Sequence, residues 1–281
     1  MLWPEASRRH FALTRPSAHS DLSPWVERYW TVRWELPPGV TYPSTILTHP
    51  SVHLSVEFGA GPRHGFAMPA ALVHGVVSRM FTVELTGSGR VFGVKFRPGG
   101  FGAFTGRDVA SLTDRVVPLA EVVGDEPAAD LLADICAADD DEATRLMDAF
   151  LLARRTAPDG RYDELLRIVA GMLADRDLVT VEAVTERFGV SARTLQRLFR
   201  RYVGVGPKWV LQRFRLHDAQ LLLESGEAPD LATLAADLGW SDQAHFSRDF
   251  QATVGTPPGR YAAASAGTGP DDAPAGQDAP G

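Results

Sequence analysis

The sequence has almost no cysteine: Cys136 is the only one among 281 residues. An internal disulfide and a thiolate metal cluster are therefore excluded, and a reducing compartment fits. No run of about 18 apolar residues occurs, so no membrane-spanning helix and no membrane partner are expected. The opening MLWPEASRRH holds no continuous apolar stretch, so no secretory signal is expected and the cytoplasm is the expected location. Neither a glycine-rich phosphate loop nor a GxSxG elbow occurs, which removes two common enzyme chemistries.

A net positive charge is also missing. The formal net charge is −7, which taken whole argues against a nucleic-acid partner, but the charges are unevenly placed. Residues 1–160 hold 15 Lys+Arg against 19 Asp+Glu, residues 161–265 hold 13 of each, and the remainder holds only acids. Between Ser191 and His217 there is no acid at all, while Arg193, Arg197, Arg200, Arg201, Lys208, Arg213 and Arg215 supply seven bases. A local basic stripe of this kind is what phosphate contacts require.

That stripe lies in a unit written twice, VEAVTERFGVSARTLQRLFRRYVGVGP and LATLAADLGWSDQAHFSRDFQATVGTPP. Each reads as helix, glycine turn, serine cap, second helix, glycine, proline. Gly189 and Gly239 mark the turns, Ser191 and Ser241 the expected caps, and Gly204 and Gly255 the closures. Two short helices joined by a tight glycine turn form the pattern of a helix-turn-helix. In the first copy Leu195, Leu198 and Phe199 face inward, leaving Ser191, Arg193, Thr194, Arg197, Arg200 and Arg201 for DNA. Arginine in a major groove can grip guanine O6 and N7. In the second copy Phe246 and Phe250 face inward, leaving Gln243, Ala244, His245, Ser247 and Arg248. Gln243 suits adenine, His245 a base edge or phosphate, and Arg248 a phosphate. Pro207 opens a connecting helix to about Glu224, whose Trp209, Val210, Phe214, Leu221 and Leu222 are expected to pack on both units. At helical rise it spans about 27 Å, which sets the readers near one DNA turn of ~34 Å apart. Residues 162–175 form a further amphipathic helix.

The first half reads differently. After a loose lead-in over residues 1–20, Trp30, Val32, Trp34 and Leu36 alternate with polar residues as in a half-buried strand. Further strand-like runs at 52–58, 72–77, 81–85 and 90–96 argue for a small antiparallel barrel or sandwich, able to hold one small ligand. Trp30, Trp34, His53, Phe92 and Arg97 are the candidate effector-pocket residues. Arg97, just before Pro98-Gly99-Gly100, reads either as a strand end at a rigid turn or as a partner for an anion. His49, His53 and Glu57 share one strand parity, which a solvated polar face on a half-buried strand explains, with a divalent-metal site as the lesser alternative since Pro50 interrupts the strand after His49. From residue 119 the pattern turns helical: Leu131, Leu132 and Ile135 in one stripe, Leu146, Met147, Phe150 and Leu151 in the next, with acids at 139–142 opening the second. Residues 156–160 are the expected boundary, and the chain from 263 is expected to be a disordered tail. The division is thus 1–158, a β-rich regulatory domain with trailing helices; 159–262, two helix-turn-helix units; and 263–281, the tail. The fold class is α+β.

Residues 161–262 resemble the DNA-binding domain of the AraC/XylS family of bacterial transcription regulators. The resemblance rests on SARTLQRLFR, on RLHDAQLLL and on LGWSDQAHFSRDFQATVGTPPGRY. Thr185 departs from it, since the family usually has alanine at that helix crossing. The first half resembles the family's β-rich sensor domains, one group of which carries a GV-x-F-x-PGG string like that of residues 93–100. The resemblance implies a sequence-specific transcription regulator controlled by a small-molecule effector, with no cofactor and no catalytic residue. Its implied partner is double-stranded DNA, read across two adjacent major grooves of an asymmetric operator, with RNA polymerase and a second copy of the chain as further candidates. The alternatives are a plain helical bundle, a metal-dependent or ligand-binding barrel enzyme fused to a DNA-binding domain, and an alkyl-transfer enzyme built on Cys136. Acids at Asp134, Asp139 and Asp140 argue against the last by disfavouring the thiolate.

Overall fold

A computed structural model of the chain describes residues 10–157 and 159–265. Eight strands come first: β1 (Phe11–Thr14), β2 (Val26–Glu35), β3 (Thr41–Ile46), β4 (His53–Gly59), β5 (Ala70–His74), β6 (Phe81–Thr86), β7 (Ser88–Phe96) and β8 (Val116–Pro118). Six form one antiparallel sheet in the order β1-β2-β7-β4-β5-β8, and β3 pairs with β6 in a separate sheet. Of the expected barrel or sandwich, the strands form the two-layered arrangement, with no closed ring. Closure is not needed to hide the apolar surface, because the β3–β6 pair covers one face of the large sheet and helices cover the other.

Strand alternation decides which residue faces which layer. On the β3–β6 side lie Trp30 and Trp34, packed with Leu36, Leu85 and Val91. Their rings lie against Gly93 and Gly89 of β7, where an added Cβ would come within 2.1 and 2.2 Å of the indole. On the helix side Tyr29 and Phe92 sit 5.6 Å apart, the Tyr29 hydroxyl donates to Asp148 at 2.7 Å, and Arg33 pairs with Asp140 at 2.8 Å. The covering helices are α1 (Gly100–Thr105), α2 (Asp125–Ala137) and α3 (Asp140–Leu152). Asp139 caps α3 by accepting the Glu142 N–H at 2.8 Å. The lead-in read as loose contains β1 from Phe11 onward, paired with β2, while residues 1–9 lie outside the described part.

Seven helices follow: α4 (Gly160–Ala174), α5 (Val181–Phe188), α6 (Ala192–Leu198, continued by a wider turn at Phe199–Val203), α7 (Pro207–Ser225), α8 (Leu231–Asp237), α9 (Gln243–Val254) and α10 (Pro258–Ser265). Helix α10 reaches into the stretch expected to be disordered, burying Tyr261, and residues 266–281 lie outside the described part. One apolar core runs without a break from Leu22 through Phe92 and Phe101 to Leu165, Phe199 and Phe214. A second joins Leu216, Ala219 and Leu223 to Phe246, Phe250 and Tyr261, and it includes Leu47 from the loop before β4. Helix α7 thus gives Val210, Leu211 and Phe214 to one core and Leu216, Ala219 and Leu223 to the other. Leu221, expected to pack, is instead exposed.

Candidate nucleic-acid interface

The two repeats fold alike, with one difference at the start of the second helix of each. Thr180 caps α5 through the Ala183 N–H at 3.1 Å, and Asp230 caps α8 through the Ala232 and Thr233 N–H groups at 2.8 and 2.9 Å. The turns close identically: Val190 N–H donates to Thr185 carbonyl at 3.2 Å and Trp240 N–H to Ala235 carbonyl at 2.8 Å. Thr180, Thr185 and Gly189 lie 50 positions before Asp230, Ala235 and Gly239, whereas Phe199 and Gly204 lie 51 before Phe250 and Gly255. The second turn is one residue longer. The cap of α9 is accordingly Asp242, which accepts the His245 N–H at 2.7 Å, and not the expected Ser241. Ser191 caps α6 as expected, accepting the Thr194 N–H at 3.1 Å. Counted from the caps, Arg193 corresponds to Ala244, Thr194 to His245 and Arg197 to Arg248.

Ser191, Arg193, Arg197, Arg200 and Arg201 are exposed, as are Gln243, Ala244 and Arg248, while Thr194, His245 and Ser247 are half-buried. The basic stripe is only partly available. Arg213 is 2% exposed, lies 4.5 Å over the Trp209 ring and donates to the Ser78 carbonyl at 3.2 Å. Arg215 lies 4.0 Å over the Trp240 ring. These two guanidinium groups pack the linker helix, leaving five bases of the stripe facing solvent. His245 is held at both ring nitrogens, Nδ1 by Ser241 Oγ at 3.1 Å and Nε2 by Asp249 at 3.3 Å. Asp249 also accepts from Trp240 Nε1 at 2.9 Å and Gln212 at 2.6 Å, which fixes it in turn. Thr185 turns its hydroxyl onto the Glu182 carbonyl at 2.8 Å, and the close helix crossing in this unit is at Gly171, where the Phe188 ring would lie 2.3 Å from an added Cβ.

The residues proposed for an effector do not all meet. Trp30, Trp34 and His53 share the β3–β6 side of the large sheet, and His53 lies edge-on to Trp30 at 6.1 Å. Phe92 points to the opposite face, into the helix-side core. Arg97 follows β7 and donates Nε to the Ser23 carbonyl at 2.7 Å. The adjoining glycines serve close packing: an added Cβ on Gly99, whose φ is +79°, would fall 2.5 Å from Leu165, and one on Gly100 would fall 2.3 Å from the Trp25 carbonyl oxygen. The Pro-Gly-Gly string is thus where the sheet receives α4 of the first helical unit.

His49, His53 and Glu57 are likewise separated. His49 precedes β4 and stacks on His217 of α7 at 3.9 Å and 8° between planes. Glu57 meets Ser55, Arg63, His64 and His74 instead. Burial by itself would raise the Glu57 pKa, but hydrogen bonds from His64 and His74 outweigh it and hold the carboxyl well below its ordinary range. No sequence spacing signalled His64, which reaches the group from a loop at φ +54°. Cys136 is half-buried; burial pushes its thiol up, and Arg90 opposes this, so the expected influence of its acidic neighbours is not the main cause.

The C-terminal architecture, two helix-turn-helix units whose second helices are capped and which share a linker helix, is that of a double helix-turn-helix domain. Residues 184–264 match the family described as "Helix-turn-helix domain", and residues 14–118 match "Domain of unknown function (DUF6597)". The HTH-type transcriptional activator RhaS of Escherichia coli O139:H28 is 37% identical over 110 residues, 37% of this chain and 39% of that protein. The arabinose operon regulatory protein of Escherichia coli K12 is 29% identical over 129 residues, 43% of this chain and 44% of that protein. The chain thus matches less than half the length of these relatives. A solved transcriptional regulator with an AraC-type DNA-binding domain from Chromobacterium violaceum is 27% identical with a TM-score of 0.35, over 38% of this chain and 96% of that one. ToxT from Vibrio cholerae is 11% identical with a TM-score of 0.44, over 90% of this chain and 98% of that one. Residues 184–264 are thus a helix-turn-helix domain, similar in sequence to parts of RhaS and of the arabinose operon regulatory protein, and a β-rich domain lies ahead of it. Among the described residues no helix is long and apolar enough to cross a membrane.

Proposed function

We propose that the chain is a sequence-specific DNA-binding transcription regulator, with residues 159–262 reading DNA and residues 1–158 regulating that reading in response to a small effector. The observation that carries this is the pair of exposed arginines, Arg197 and Arg248, at equivalent positions on two capped helices tied to one linker helix by separate cores. Helix α7, at 19 residues, spans about 28 Å, which suits adjacent major grooves about one DNA turn of ~34 Å apart. Arg193 and Arg197 read guanine edges in one half-site. Gln243 and Arg248 read the other, and His245, tied at both nitrogens, orients its helix and touches the backbone. Arg200, Arg201 and Lys208 hold phosphates. The reading assigns no catalytic role and a cytoplasmic place of action, and it admits RNA polymerase and a second copy of the chain as partners.

The test is selection of duplexes from fragmented genomic DNA by the purified chain, followed by affinity measurements on the enriched fragments. Arg193→Ala and Arg197→Ala should each weaken binding to the preferred sequence by about 1–3 kcal/mol and relax one half-site. Unchanged affinity in both would remove α6 as a base-reading helix. A flat dependence of affinity on salt would remove phosphate contacts as the driving term.

A further inference from the structure

Between the two sheets, Glu57 of β4 and His74 of β5 point into a buried space that His64 enters from the intervening loop. His64 Nε2 lies 3.5 Å and His74 Nε2 3.2 Å from the same oxygen, Glu57 Oε1. All three ligand atoms lie within 4.8 Å of one another. Metal–ligand bonds of about 2.0–2.1 Å in a tetrahedron set neighbouring ligand atoms roughly 3.4 Å apart. We propose that Glu57, His64 and His74 form a site for one divalent transition-metal ion of the Zn2+ class. Two imidazoles and one carboxylate suit such an ion, whereas Mg2+ and Ca2+ require more oxygen ligands.

The surroundings are arranged to hold those three groups. Arg63 Nε takes the other carboxylate oxygen, Glu57 Oε2, at 2.9 Å, which turns Oε1 toward the histidines. A hydrogen bond of this kind is the usual orienting device for a metal-binding carboxylate. Ser55 Oγ lies 2.8 Å from both Glu57 Oε1 and His74 Nε2 and lines a further side. Phe81 stacks on His64 at 5.7 Å and closes the site with an apolar wall. The left-handed backbone at His64, φ +54°, is uncommon for a residue with a side chain and turns this ring inward.

The site is also wired to the helical domain by one short segment. His74 and Phe81 bracket residues 75–80. Within it the Val77 carbonyl accepts from Thr48 Oγ1 at 3.1 Å, and the Ser78 carbonyl accepts from Arg213 of α7 at 3.2 Å. Met80 lies against Gly255 at the end of α9, with Sδ 2.7 Å from where a Cβ would stand. An ion that draws His74 and His64 together therefore acts on both ends of a loop that grips the linker helix and the second reading helix. This consequence rests on the DNA-binding reading of the chain; the metal site does not.

The experiment uses the full chain, stripped with a chelator and titrated with ZnCl2, with bound metal measured by mass spectrometry after gel filtration. One zinc per chain is expected, lost in His64→Ala and His74→Ala and kept in His10→Ala. Arg63→Leu should weaken zinc binding by about 10–100-fold, as for other orienting partners. No stoichiometric zinc in the folded wild-type chain, or undiminished zinc in both histidine variants, overturns the site. Because His74→Ala removes a buried group, Co2+ added to the wild-type chain gives an independent readout: intense visible bands of a tetrahedral centre are expected, and their absence contradicts the proposal. DNA affinity with and without zinc completes the set. A zinc response in the wild-type chain that His64→Ala lacks is expected; stoichiometric zinc with no DNA response overturns the wiring and leaves the site. A chain that takes up zinc and binds no DNA sinks the regulator reading alone.

Discussion

Asp242 begins the second reading helix, and its role follows from one extra residue in the turn before it. The carboxylate accepts the His245 N–H, which lowers its pKa below the ordinary aspartate value, and the Ser241 hydroxyl donates to it at 3.2 Å. Replacing a helix cap by alanine leaves a terminal N–H without its partner and destabilises the helix. Asp242→Ala should therefore lower the stability of the second helical unit, while Ser241→Ala, which removes no cap, should change it much less. Denaturant unfolding of the two variants measures this, and equal losses would return the cap to Ser241. The sequence repeat was plain enough to reveal two units. The offset change from 50 to 51 residues was present in the same letters, yet serine after the glycine turn in both copies pointed to the wrong cap. Only the backbone geometry, with Asp242 in the extended conformation and accepting the His245 N–H, separates them.

Elements were legible where one face was buried and the other wet. The alternation at Trp30, Val32 and Trp34 gave β2, and the 3.6-residue stripes gave α3 and α4. Short edge strands left no such trace: β1 has four residues, β8 has three, and β3 carries Pro43 within it. The sequence placed Phe92 and Arg97 beside Trp30 because all five candidate residues were read as one barrel interior. In an open sheet with both faces covered, residue parity along β2 and β7 sends Phe92 to the helices. His64 was invisible because loops carry no period. Glycines mark the element contacts most sharply. An added Cβ at Gly75 would stand 1.8 Å from the Leu112 carbonyl oxygen, a clash no side-chain movement relieves. Gly75→Ala should therefore destabilise the chain by roughly 1–3 kcal/mol as an overpacked core position, read from the shift of its unfolding midpoint. A variant as stable as wild type would show that the loop before β8 is free to move.

Taken whole, the molecule joins its two parts through an unbroken core and a polar seam along α7. At that seam the His49 and His217 rings stack, and His217 Nε2 donates to the Thr48 carbonyl at 3.2 Å. Burial lowers the pKa of both, to about 2 for His49, where His217, Lys95, His53 and Arg28 add positive charge, and to about 4 for His217, where the hydrogen bond to the Thr48 carbonyl opposes the shift and Arg213 and Lys95 add to it. The unfolded chain takes up these protons near pH 6.5. Stability from the neutral rings is thus fully present above pH 6.5 and is lost as pH falls, toward 4 for His217 and toward 2 for His49. The melting temperature should drop across that window, and His217→Gln, which keeps a donor for Thr48, should drop less; an identical pH profile would place the titration elsewhere. In the proposed function, two unequal helices on one rigid linker contact two DNA segments. Selection from a random duplex library measures it directly, comparing wild type with Arg197→Ala and Arg248→Ala. The expected result is two different motifs centred about 10 base pairs apart, with each variant erasing information from one motif and sparing the other. A single motif, or a pair that both variants leave intact, would contradict it.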